Sequence, residues 1–566
     1  MVPTFLHPFM IINKTKYLLL SLFFILTNTA FSQKVSRDEI AQVRANFETE
    51  YQIKDTANIV FPLVASNDTL AFVYNYQHAF IVISGYKSLP PIKAYSIENG
   101  FPFDALNTDN NITFSEMLID DYQNFIKNSK PNSIYSIQNS SDWKNIYNAP
   151  TKGTKVQYGP WLDNIYGQTN CKDENNKIIN VTNIYTPKNY AAGCVAITFV
   201  ELLQYFEWPR IGIGSHSYND TKGSTTGLHS VRFDKKYYNW GLIKDKYYKV
   251  PSSTAERNEL GNLTYHCAVS IDMDFEYNGS TSNINRIPNA ANKYFRYTAT
   301  HIYKTVSTFW EQVDSNIVNG FPVQFAIYAT NGAGHAIVCD GLRPDDPNKL
   351  YYHLNMGWWG STNAWYLIQD GFNAGGYTNI TAAVVDMFPV PELEKPKIGS
   401  DNESVDLVWY FTERMNADAY ELQVKVGAQN WKTISDNIQT QKYSYKFDNT
   451  EVHRFRVRAK MNGKWNALGY SNNMTIDIKK EIENSKSAEI LVYPTLVIDN
   501  INVEYFDLEH CSIEIFNTMG VKVYEEAIGT ISATKRTINV QGLPNGIYFL
   551  RVMGDGVEQT VKFFKN

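Results

Sequence analysis

Two side chains stand out for their capacity to do covalent chemistry, Cys194 and His335. Cys194 lies in Ala191-Ala-Gly-Cys-Val-Ala-Ile-Thr-Phe-Val-Glu-Leu-Leu-Gln-Tyr-Phe-Glu-Trp-Pro209, where Val195, Phe199, Leu202, Leu203 and Phe206 mark an apolar helical face that must end before the proline. A thiol in the first turn of a helix meets partial positive charge and unsatisfied N–H groups, which favour the thiolate over a thiol of ordinary pKa about 8.5. Gly193 lets a carbonyl substrate approach the backbone, and the Cys194 N–H is a candidate oxyanion donor. Alone, a cysteine ahead of an apolar helix is more often a small buried hydrophobe. A second block shifts that balance: Asn331-Gly-Ala-Gly-His-Ala-Ile-Val-Cys-Asp-Gly341 sets His335 at the mouth of a strand behind a glycine loop. The next strand, Leu350-Tyr-Tyr-His-Leu-Asn355, ends in an amide side chain. A hairpin centred on Asp345 places Asn355 opposite His335, since 335 + 355 = 2 × 345. Opposed residues lie about 4.5–5.5 Å apart at Cβ, close enough for Asn355 to orient the imidazole. Trp358 and Trp359 follow as candidates to shield that bond from water.

These residues need a scaffold, and the chain is long enough for several domains. At roughly 100–200 residues per domain, 566 residues predict about three to five. The formal charge, 52 − 57 = −5, argues against nucleic acid as an obligate partner. Five cysteines are too few for a dense disulfide framework and leave one unpaired in any monomer. Lys14 and Lys16, the apolar run Tyr17 to Leu26 and the small residues around Ala30-Phe31-Ser32 read as a signal peptide over 1–32. No later stretch is long and uncharged enough for a membrane span, so none is expected in the mature chain. Ser36 to Gln52 predicts a capped helix with Ile40, Val43 and Phe47 inward, and short strands follow at Leu70–Tyr76 and Ala79–Ser84. The Ser, Asn, Pro and Lys content of 128–154 predicts an exposed linker. Helices mix with strands to about residue 388. Beyond it, alternating strand patterns predict one β-sandwich over 389–478 and a second over 488–566.

Gly-Cys-Val-Ala with its following Gln-Tyr helix, Gly-His-Ala-Ile-Val-Cys-Asp-Gly and Leu-Asn-Met-Gly-Trp-Trp-Gly resemble the three signature blocks of the streptopain family of papain-like cysteine peptidases. The separation 335 − 194 = 141 fits the roughly 130–150 residues between the nucleophile and histidine of papain-like enzymes. The segment Tyr158-Gly-Pro-Trp-Leu to Gln168 resembles the one supplying the family's oxyanion-hole glutamine, which implies that role for Gln168. Leu70 to Ser96 is similar to the family's propeptide module, which blocks the cleft until removed. Val492-Tyr-Pro-Thr-Leu, Phe516-Asn-Thr-Met-Gly and Leu543-Pro-Asn-Gly-Ile-Tyr-Phe-Leu resemble the sorting domain read by the type IX secretion system of Bacteroidetes. Met356 stands where the family usually has tryptophan.

The resemblance implies an α+β protein: an inhibitory propeptide with linker over 33–150, a papain-like peptidase domain over 151–388 and two small β-sandwiches. It implies a secreted or surface-attached zymogen cleaving protein substrates through Cys194, His335, Asn355 and Gln168, with its own propeptide and the outer-membrane secretion machinery as partners. No cofactor or metal is expected. His-Glu-x-x-His, Cys-x-x-Cys, Gly-x-Ser-x-Gly and the Walker loop are absent from the sequence, which disfavours zinc peptidase, serine hydrolase and nucleotide enzyme. The alternative expectation is an impaired surface adhesin or binding protein built on a peptidase-like domain.

Overall fold

The computed structural model describes residues 33–103, 156–221, 225–346, 349–369, 377–394, 404–476, 490–505, 511–528 and 534–566 almost throughout, with parts of 104–147. The expected signal peptide and the tract after residue 478 lie outside the described residues. The chain divides into two compact units, one reaching Glu392 with 411–419 and 458–471, the other holding 393–410, 420–457 and 472–566.

The first unit is organised by a ten-stranded sheet. Its strands are β1 (Ile59–Ala65), β2 (Asp68–Asn75), β3 (Phe80–Ser84), β4 (Ile92–Ser96), β5 (Tyr297–Tyr303), β6 (Val323–Ala329), β7 (Gly334–Asp346), β8 (Lys349–Asn355), β9 (Ala364–Leu367) and β10 (Tyr377–Pro389). They run in the order β1-β2-β3-β4-β9-β8-β7-β6-β10-β5. The four N-terminal strands therefore continue the sheet that carries His335. Both faces are covered, so β3 reads as an unbroken apolar run. Phe80 and Val82 enter one core with Phe325, Ile337 and Tyr352. Ile81 and Ile83 enter the other with Tyr95, Tyr351 and Trp365.

Helix α1 (Arg37–Glu50) closes that second core. Ser36 caps it through a capping box with Glu39, and Ile40, Val43 and Phe47 are its buried positions, as the spacing predicts. The expected linker is corrected in part: Ile134–Asn145 is a helix. Its Trp143 is 2% exposed and donates its indole N–H to the Leu89 carbonyl at 2.8 Å. One large buried ring and the adjacent Ile146 anchor it, too few apolar residues to raise a periodic signal among so many polar ones.

At the junction of the two halves, Trp365 of β9 pairs with Tyr95 of β4, and Tyr366 with Ala94. The Tyr95 ring stacks on Trp365 at 6.3 Å and meets Tyr351 edge-on at 5.5 Å. Arg343, 2% exposed, donates to the Tyr95 hydroxyl at 2.8 Å, pairs with Glu50 of α1 and lies 4.5 Å from the Tyr51 ring centroid.

Strands around Ser404–Tyr410 and Lys442–Lys446 belong to one antiparallel sheet, and those around 420–426 and 453–457 to another. Trp409 against Tyr420 and Tyr445 against Phe455 join the two sheets. Residues 490–565 form a three-stranded and a five-stranded sheet, which share a core of Val497, Val503, Ile513, Leu550 and Phe563.

Candidate active site

Helix α2 (Cys194–Phe206) begins at the expected thiol. Its N-cap, Gly193, has φ +88°, and a Cβ there would lie 2.6 Å from the Met273 sulfur, so only glycine fits. The helix departs from the expected amphipathic pattern because it is enclosed on every side. Glu201 and Gln204 are as buried as Phe199 and Leu203, with β7 and helix α3 (Thr254–Ser270) packed against it.

Gln168, Cys194 and His335 line one cleft of about 360 Å³, together with residues 279–284, Ala326, Tyr328 and Ala333. Among the described residues, no lining residue comes from 33–150. The described part of the N-terminal module engages the sheet edge at β9. Gln168 is held beside the nucleophile by its backbone carbonyl, which accepts the Ala192 N–H at 2.8 Å.

His335 is 3% exposed. Its Nε2 lies 3.0 Å from the Met356 carbonyl oxygen. A carbonyl only accepts, so Nε2 carries the proton and Nδ1 is the basic nitrogen. The Trp358 ring stacks on the imidazole at 4.9 Å and 18°.

Asn355 sits elsewhere than the hairpin arithmetic predicts. Register irregularities between Cys339 and Gly341 and between Pro344 and Asp346, with a later turn, pair it with Val338. Its Nδ2 donates to the Asn164 carbonyl and its Oδ1 accepts the Gly357 N–H, both at 3.1 Å. Asn355 thus shapes the turn that presents the Met356 carbonyl, and that carbonyl meets the ring. The departure at Met356 matters little to this bond, since the backbone makes it.

The sequence reading passed over Glu201, whose signal was a lone carboxylate in an otherwise apolar helix. It is 0% exposed, and its Oε1 accepts the Tyr166 N–H at 3.2 Å. Burial pushes its carboxyl well above the usual range, and the negative charge of Asp340 adds to this against the Tyr166 N–H, the Asn355 amide and His335. Nearby, His353 and Asp340 form a buried pair at 2.6 Å. Burial disfavours the charged His353 ring, but Asp340 outweighs it and raises its pKa.

The four cysteines whose side chains are described, Cys171, Cys194, Cys267 and Cys339, are free thiols. Burial pushes the Cys171 thiol up to about 12 and those of Cys267 and Cys339 well above the ordinary value, so these three stay protonated. Cys194 alone among them is partly exposed. Among the described residues no cluster of metal-ligating side chains occurs, and no helix is long and apolar enough to cross a membrane.

Residues 170–366 match the Peptidase C10 family, a span containing Cys194, His335 and Asn355 but not Gln168, and 491–566 match the secretion system C-terminal sorting domain. Streptopain of Streptococcus pyogenes is 24% identical over 389 residues, covering 64% of this chain and 93% of that protein. The thiol protease/hemagglutinin PrtT of Porphyromonas gingivalis is 26% identical over 259 residues, 44% of this chain and 28% of that protein. A fragment of Prevotella intermedia prointerpain A is 21% identical, covering 59% of this chain and 99% of the fragment, with a TM-score of 0.42. The chain is a secreted or surface-attached cysteine peptidase whose residues 170–366 match the Peptidase C10 family and whose residues 491–566 match the secretion system C-terminal sorting domain.

Proposed function

We propose that the protein is an endopeptidase made as a zymogen, with 33–150 as its inhibitory propeptide. In this reading the Cys194 thiolate attacks the peptide carbonyl to form a tetrahedral oxyanion, held by Gln168 and the Cys194 N–H. His335, having taken the thiol proton, returns it to the leaving amine as the C–N bond breaks. Water, deprotonated by His335, then attacks the thioester and releases the second product, restoring the thiol. Asn355 acts at one remove, by shaping the turn that carries the Met356 carbonyl. Peptidase domain 151–388 and the two sandwiches at 389–478 and 488–566 complete the layout we propose, the last addressing the protein to the secretion machinery.

The observation that carries this reading is the single cleft lined by Gln168, Cys194 and His335, residues up to 335 − 168 = 167 positions apart. The continuous packing of β4 on β9 supports an N-terminal module that restrains the enzyme from the sheet edge. Casein hydrolysis and precursor processing, compared in the native chain, Cys194→Ala and His335→Ala, test it. Each substitution should lower hydrolysis by at least about 10³-fold; equal activity in all three would overturn the assignment.

A further inference from the structure

Glu201 has a place in the helix that its burial alone does not explain. It follows Cys194 by 201 − 194 = 7 residues. At about 100° per residue this falls about 20° short of two turns, putting the carboxyl on the thiol's face of α2, about 10 Å further along the axis. The carboxyl lines no part of the cleft, so it does not touch substrate there.

Its contacts reach all three parts of the site. Through Oε1 it holds the Tyr166 N–H, two residues before Gln168. The Asn355 amide, from the His335 turn, lies near enough to the same carboxyl to lower its pKa. Its own backbone belongs to the nucleophile helix, and its carbonyl accepts Asn164 Nδ2 at 2.9 Å. Asn164 completes the tie, because its carbonyl accepts Asn355 Nδ2. Trp359 N–H then donates to the Tyr166 carbonyl at 3.1 Å, pinning the turn that carries Trp358 over His335.

We propose that Glu201 is a positioning residue that holds the Gln168 segment, the Cys194 helix and the His335 turn in catalytic register. This rests on the assignment of Cys194 and His335 given above. The charged or titratable groups facing it are Asp340 and His335 on β7, with the polar Asn355 on β8 and Tyr166 on the oxyanion segment. Burial and the nearby Asp340 charge raise its pKa and so favour the neutral carboxyl, whose accepting oxygen an amide can replace.

The test uses the full chain, activated, in the native form and as Glu201→Met, Glu201→Gln and Cys194→Ala. With a fluorogenic peptide substrate, Glu201→Met should lower kcat roughly 100-fold with KM within about twofold, the signature of misplaced groups rather than lost binding. Glu201→Gln should restore kcat to within about threefold of native. A Met variant within twofold of native kcat, or a Gln variant as impaired as Met, overturns the proposal. Where Glu201→Met fails to fold, Glu201→Gln decides through its pH profile. Superposition on the native profile is expected, and an alkaline limb displaced by more than about half a unit reveals a working charge at 201 and overturns it. Activity retained in Cys194→Ala refutes the dyad and not the role of Glu201 in folding the site, so the two failures are distinguishable.

Discussion

The cleft and the junction of β4 with β9 lie on one sheet but are made of different materials. Around Cys194 the fitting is done by backbone: a glycine N-cap with no room for a Cβ, a Met356 carbonyl on the imidazole, and an Ala192 N–H on the Gln168 carbonyl. At the junction it is done by large side chains, with Tyr95, Tyr351 and Trp365 in contact and Arg343 bound to Tyr95 and Glu50. Backbone hydrogen bonds fix positions finely and bury little apolar area, whereas aromatic rings contribute burial energy and tolerate small shifts. The cleft is therefore built for geometry and the junction for adhesion.

Trp365→Ala should break the contrast most strongly, at about 3–5 kcal/mol for removing a buried ring. The loss should register as faster hydrogen exchange in Ile92–Ser96 and Ala364–Leu367 of the precursor, while the backbone around Cys194 keeps its protection. Uniform loss of protection across both regions would show that they are one cooperative unit. Gly193→Ala acts on the other side. It forces a Cβ against Met273 at φ +88°, and a roughly 100-fold fall in kcat, about 2.7 kcal/mol, is expected with the junction's exchange unchanged. The smallest effect concerns His353, on β8 between the two regions. Its folded pKa is raised, so its contribution to stability is complete below the unfolded value of about 6.5 and fades as pH climbs through the folded one. Precursor stability to urea should fall above neutrality by at most about 1.4 kcal/mol per pH unit, and His353→Gln should flatten that slope.

The sequence revealed local features well. The α1 cap at Ser36, the start of α2 at Cys194 and the strand carrying His335 all follow from nearby residues. What it hid depended on pairing across space. Asn355 was misplaced because register irregularities and the position of a turn, none of which leaves a periodic mark, set the β7–β8 register. Trp143 looked like part of a linker because the Ser, Asn and Lys around it hide the one ring that anchors its helix. Glu201 was passed over because an apolar face was drawn on a helix that has no solvent side at all.

Arg343 has a further consequence. Its guanidinium is hidden by Glu50, Tyr51 and Tyr95, all of which lie in the segment proposed to be cleaved away. Departure of that segment would uncover, in one event, the edge of β9 that β4 covers and a cation two strands further in, on β7. An open strand edge invites association with other chains, and a fixed positive charge near it discourages that. The same arginine that fastens the precursor would thus help keep the released enzyme soluble.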